Sequence, residues 1–178
     1  MRDLTHIFLA HVVFAFSAVS GFVLLPALLL SHQFQEAFFA YVYKLCLKIW
    51  GVDFDLSRRA VLARLEGLVS HDSTLKSRGA VRLLEVGAAH GPNLKFMQRP
   101  VEYWKVEPNT AFNATFQTNL AANPKVKMER CVVGYGEDMS MLPDGHFDVV
   151  LFTFVLCSAK DGRKLVSECK RVLAKVRL

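Results

Sequence analysis

The stretch LLEVGAAHGPN, Leu83 to Asn93, decides how the rest of the chain is read. An apolar run, an acid and two glycines four residues apart predict a strand that stops in a tight turn. Val81–Val86 is the expected strand. Asn93–Met97 is the expected start of a helix, with Pro92 suited to its first position. Moving outward, Val101–Val106 reads as a second strand ending at Glu107-Pro108-Asn109. Phe112, Phe116 and Leu120 recur every four residues and predict a helix. Val126–Val133 reads as a third strand, GYGEDMSMLPDG (134–145) as a long loop, and Phe147–Phe154 as a fourth strand. Leu165, Val166, Cys169, Val172, Leu173 and Val176 form a helical stripe running to the chain end. Upstream, Asp55 or Ser57 is expected to cap a helix with Val61, Leu65, Leu68 and Val69 on its apolar face. HDSTLKSRGA (71–80) is expected to be a polar loop. Strands alternating with helices predict a parallel α/β sheet covered on both faces.

The N-terminal part has a different character. Ile7 to Leu30 holds no formally charged residue. As a helix it would span roughly 36 Å, enough for a hydrocarbon core of about 30 Å. A cleaved signal peptide would be cut near Ser17-Ala18-Val19-Ser20, but the apolar run continues well past that point, so a retained anchor is expected. Pro26 is a kink point. Phe34–Trp50 suits a helix lying in the membrane interface, with Lys44 and Lys48 at the headgroups and Trp50 at the boundary. A helix packed on the domain is the competing reading. Lys44, Lys48, Arg58 and Arg59 follow the anchor and only Arg2 precedes it, which places the following domain in the cytosol. The domains expected are residues 1–52, anchor and interfacial helix, and residues 53–178, the α/β domain.

With 178 residues, a net charge of +6 and a pI near 9.3, the chain suits a nucleic acid or an anionic membrane surface as partner, or simply a solvated basic face. Its four cysteines, Cys46, Cys131, Cys157 and Cys169, have no CxxC spacing, so no zinc or disulfide framework is readable. In an open α/β sheet a ligand lies beyond the carboxyl ends of the strands. Gly87 and Gly91 let a backbone approach a ligand, and Glu107, 20 residues after Gly87, suits ribose hydroxyls. The dinucleotide fingerprint fails, because Ala89 and Pro92 stand where glycines are needed. A Walker A loop is absent. Taken alone, the glycines mean only a tight turn, Glu107 a solvated strand end, and Asp138 a helical cap. His71, His90 and His146 read as loop histidines, and Cys157 as a buried apolar cysteine. No catalytic residue is readable.

Glu85-x-Gly87-x-Ala89-x-Gly91 resembles the first motif of class I S-adenosylmethionine-dependent methyltransferases. The resemblance implies that this turn holds the methionine end of the cofactor S-adenosyl-L-methionine, with Glu107 and Asn109 at the ribose. It places Glu137, Asp138 and Met139 at the adenine, and Thr153 beneath the sulfonium. LLEVG, EPNTAF, GEDM, DGHFDVV and VLCS in order, behind an apolar segment, resemble the thiol S-methyltransferases of endoplasmic reticulum and lipid droplets. That implies a Rossmann-like sheet behind a hydrophobic helix and a small thiol or hydrosulfide as acceptor. Membrane lipid is the second partner implied, and nucleic acid is not expected. Ala89, Glu107 and His90 depart from the usual glycine, aspartate and small hydroxyl residue. An amine methyltransferase is disfavoured, since Thr153-Phe154-Val155-Leu156 carries no proline. A membrane-tethered scaffold without activity is the alternative of another class. About four of the seven strands implied are contained in the chain, and little or no turnover is expected from it.

Overall fold

Val81–Val86 forms β1 of the computed structural model, which describes residues 2–175 apart from the side chains of residues 2–7, 9, 10, 13 and 16. Five of the six β1 residues are buried, as a strand covered on both faces must be. β2 (Val101–Val106) and β3 (Val126–Val132) lie on one side of it and β4 (Val149–Phe152) on the other. The order is β3-β2-β1-β4, with every pair parallel. The fold is thus a four-stranded, Rossmann-like α/β sheet. Its topological switch point lies between β1 and β4, at the end of the LLEVG strand.

Alternation along β1 builds two cores. Leu83 joins Leu62, Leu65, Leu94, Tyr103 and Phe116 on one face. Leu84 and Val86 join Val106, Met139, Phe147, Leu165 and Val172 on the other. Each such side chain contributes about 1.5–3 kcal/mol on burial. The first face is covered by the end of α2 (His32–Leu62) and by α4 (Asn113–Ala121), the second by α5 (Gly162–Val172). Asp161 caps α5, accepting hydrogen bonds from the backbone N–H of Arg163 and Lys164 at 3.0 Å each. β3 is an outer strand and presents charged Lys127, Glu129 and Arg130, which protects its edge.

Several sequence expectations shift. Asp55 and Ser57 lie inside α2, because nothing between Ser31 and Leu62 breaks the helix. Its buried face is Arg58, Leu62 and then Leu65, whereas Val61, Leu68 and Val69 are exposed. The 71–80 segment contains a short helix, α3 (Ser73–Ser77), capped by Asp72 and anchored by buried Leu75. The helix expected from Asn93 is only a 3-10 turn, Leu94–Phe96, since β2 begins a few residues later. β4 is four residues long, shorter than the predicted run. α5 stops at Val172. Leu173 instead pairs in parallel with Phe147, and the Ala174 N–H donates to the Phe147 carbonyl at 2.8 Å. Val176 lies outside the described residues.

Contacts divide the chain into two units, Met1–Val42 and Tyr43–Leu178. The first contains α1 (Arg2–Leu30), which runs through Pro26, and the start of α2. Phe14, Phe22 and Leu30 are 75%, 82% and 86% exposed. Among the described residues no helix is long and apolar enough to cross a membrane. The anchor expected over Ile7–Leu30 falls partly on residues 7, 9, 10, 13 and 16, whose side chains lie outside the described residues.

Candidate cofactor site at the switch point

The turn after β1 is shaped by three left-handed residues. Gly87 has φ +69°, Ala89 +46° and Gly91 +75°. A Cβ on Gly87 would come within 2.5 Å of Val155 Cγ2, and one on Gly91 within 2.6 Å of Leu94 Cδ1. Both glycines are therefore required by conformation and by space. Ala89 adopts the same backbone region without glycine's freedom, so the departure noted in the sequence is a strained position.

Glu107 ties this turn to the end of β2. It is only 7% exposed. Its Oε2 accepts from the Ala89 N–H at 2.9 Å, and its Oε1 from the Asn109 N–H at 3.0 Å. The ladder continues through the Gly87 N–H to the Val106 carbonyl, and through the Glu107 N–H to the Val132 carbonyl. Asn109 Oδ1 accepts from the Ala111 N–H at 2.9 Å, which caps the 3-10 turn Thr110–Phe112.

Beneath the turn lies a buried polar network that the sequence did not reveal. Glu85 accepts from Asn93 Nδ2 at 2.6 Å and from the Tyr103 hydroxyl at 2.5 Å. Asn93 Nδ2 also donates to Thr153 Oγ1 at 3.0 Å, linking β1 to the end of β4. Burial pushes the Glu85 carboxyl up to about 7, against the opposing pull of these hydrogen bonds. Tyr103 is raised as well, by burial first and then by the Glu85 charge. Asn93 Oδ1 is buried and has no hydrogen-bond partner.

The segment after β3 is placed differently from the rest. Glu137 Oε1 accepts from the Lys160 N–H at 2.7 Å. Asp138 is exposed, and its bonds to Ser140 hold it below the usual carboxylate range. Met139 is wholly buried in the second core, with its N–H bound to Glu168. Glu107 thus bonds directly to Ala89 and Asn109, Asn93 links Glu85 to Thr153, and Gly87 and Gly91 flank Ala89 in the same turn. Glu137, Asp138 and Met139 form a separate loop beyond β3.

Three further residues have surroundings that the sequence did not show. His90 lies in the turn, as a loop histidine, and is buried there; it stacks on Tyr43 at 6.0 Å and meets Phe112 edge-on at 4.7 Å. Cys157 is exposed, contrary to the expectation of a buried thiol, because it lies in the loop after β4. Arg58, counted among the charges that follow the apolar segment, is only 1% exposed. A buried cation in the midst of a helix leaves no pattern distinct from a surface one. His71 and Asp148 pair at 2.6 Å near a groove of about 1350 Å³ beside Lys76 and Lys170, at the opposite end of the sheet.

Comparison with known proteins agrees with this geometry. The model of the methyltransferase-domain family matches residues 84–176, more than half of the chain. Human thiol S-methyltransferase TMT1B is 32% identical over 138 residues, 78% of this chain and 54% of that protein. Human thiol S-methyltransferase TMT1A is 39% identical over 95 residues, 53% of this chain and 39% of that protein. The chain therefore spans about half the length of these relatives, or less. An S-adenosyl-L-methionine-dependent methyltransferase structure from Methanococcus maripaludis superposes with a TM-score of 0.58 at 14% identity, over 76% of this chain and 58% of that one. Another from Thermotoga maritima gives 0.56 at 18% identity, over 81% of this chain and 58% of that one.

Proposed function

The chain belongs to the methyltransferase-domain family, and on that premise we propose that its α/β unit binds S-adenosyl-L-methionine and directs methyl transfer to a small thiol. One observation carries the reading. Glu107 Oε2 and the Ala89 N–H, 2.9 Å apart, bring the glycine turn and the acid after β2 into one site at the switch point. The residues present fit the cofactor. The turn has no side chain at Gly87 or Gly91, where a Cβ would collide with its neighbours. Asn93 Oδ1 is a buried acceptor without a donor, which an ammonium group would satisfy.

When bound, the cofactor supplies an electrophilic methyl group on a sulfonium. The chain's residues hold and orient. Glu107 and Asn109 are assigned to the ribose, the glycine turn to the amino-acid end, and Glu137 and Asp138 to the adenine side. Glu85 is locked between Asn93 and Tyr103 and supports the turn from below. A general base is dispensable for a thiol acceptor. With a pKa of about 8.5, a few per cent of a free thiol is already thiolate at neutral pH. Alignment is then the main contribution, and well-oriented reactions gain roughly 7–11 kcal/mol from it.

The names of the curated relatives support a thiol acceptor. The exposed Phe14, Phe22 and Leu30 support attachment to a lipid surface. By resemblance, that surface is the endoplasmic reticulum or a lipid droplet, with the α/β unit facing the cytosol. The test is to incubate the detergent-solubilised chain with methyl-labelled S-adenosylmethionine and a small alkyl thiol or an amine. Saturable cofactor binding with thiol-selective methylation is the expected result. Absence of binding, or methylation of the amine alone, would overturn the proposal.

A further inference from the structure

Arg58 lies outside the matched family segment and is the most unusual charge in the α/β unit. It is 1% exposed, and its one ion pair among the described residues is long. Its Nη1 is 3.5 Å from Asp55 Oδ1, and its Nη2 is 3.3 Å from the Tyr43 hydroxyl. Asp55 is the one carboxylate within ion-pair distance among the described residues, and its other oxygen is held by Lys95 Nζ at 2.5 Å. Arg58 Nε is buried without any hydrogen-bond partner. Burying a guanidinium so loosely paired is costly unless an anion completes it.

The surroundings say where that anion would come from. The guanidinium carbon lies 5.6 Å from the Phe54 ring centre and 5.3 Å from that of Phe154. Phe154 is held at φ +59°, a left-handed backbone in a non-glycine residue. It stands between Thr153, bound by Asn93, and Val155, which covers Gly87. Arg58 is also close enough to Glu85 for its charge to oppose the upward push of burial on that carboxyl. The cation therefore lies beside Phe154, the neighbour of Thr153 and Val155 at the glycine turn, and its forked donors match a carboxylate.

We propose that Arg58 binds a carboxylate of the ligand held by the glycine turn, the α-carboxylate at the amino-acid end of the cofactor. This rests on the cofactor reading above and adds a recognition residue from α2, far from the turn in sequence. Its consequence is selectivity. The site should distinguish S-adenosylmethionine from its decarboxylated form, which keeps the sulfonium, the amine and the nucleoside.

The test is calorimetric titration of the full chain in detergent with both compounds, for the wild type, R58K and R58M. Wild type is expected to prefer the carboxylated compound by about 10- to 100-fold, the scale of a charge-assisted pair. R58M should lose that preference while binding the decarboxylated compound as before. R58K should keep part of it, since a lysine lacks the fork. Equal wild-type affinities, or an unchanged preference in R58M, would overturn the assignment and leave the cofactor reading standing. If R58M does not fold, the wild-type comparison and R58K decide. Wild type binding neither compound would overturn both readings.

Discussion

Ala89 shows how much one methyl group matters at the turn. At φ +46° it holds a conformation that glycine adopts freely. Ala89→Gly is expected to stabilise the fold by up to about 1 kcal/mol, part of the left-handed cost being offset by glycine's entropy. A lower urea midpoint for the variant would contradict this. Gly87→Ala should act in the opposite sense, since its Cβ would stand 2.5 Å from Val155 Cγ2. Glu107→Ala removes the acceptor of two backbone N–H groups and should weaken cofactor binding by about 1.5–3 kcal/mol, read by titration. Unchanged affinity would place the ribose elsewhere. Glu85 makes a prediction in pH. Its folded pKa of about 7 lies above the ordinary 4.5, so the native state holds the proton more tightly. Its contribution is whole below about pH 4.5 and is lost as pH rises through about 7. Between pH 4.5 and 8 the wild type should lose up to about 3 kcal/mol relative to Glu85→Gln. The comparison cancels the other titrating groups. A flat difference across stepped-pH urea unfolding would count against the buried, proton-binding Glu85.

At the scale of elements, the loop after β3 is held by α5. Arg171 donates to the Met139 carbonyl at 2.7 Å and to the Leu142 carbonyl at 3.0 Å, and it pairs with Glu168. Glu168 in turn accepts from the Met139 N–H at 2.9 Å. Arg171→Met should cost about 1–3 kcal/mol and speed amide exchange at Met139 and Leu142. Unaltered exchange there would show that the loop stands without this brace. For α1, alkaline carbonate washing of membranes is expected to leave the chain in the pellet; release would contradict lipid attachment through its apolar side chains. Much of this scale could be read from sequence. The strands announced themselves through β-branched runs ended by glycine or by Glu107-Pro108. The turn was readable because glycine spacing reports backbone conformation directly. What could not be read was long-range. Tyr103 and Asn93 meet Glu85 only after β1 and β2 pair. The burial of Arg58 could not be read either, because it depends on Tyr43 and on Phe154, which the fold brings beside it. Local cap signals at Asp55 and Ser57 lost to the continuity of α2.

For the whole molecule, the order β3-β2-β1-β4 places the C-terminal ends of β1, β2 and β4 side by side. The glycine turn, Glu107 and Thr153 sit on those three ends. This is the physical reason that residues spread over nearly 70 positions, Glu85 to Thr153, can act on one ligand. The two cores, one on each face, fix the strand register and with it the geometry of the site. The central claim is that this site takes S-adenosyl-L-methionine. Its most direct test is calorimetric titration of the detergent-solubilised chain with S-adenosylmethionine, beside the Glu107→Ala variant. The account predicts saturable binding at one site per chain, weakened at least tenfold by the substitution. No binding by the wild type, or equal binding by the variant, would contradict it.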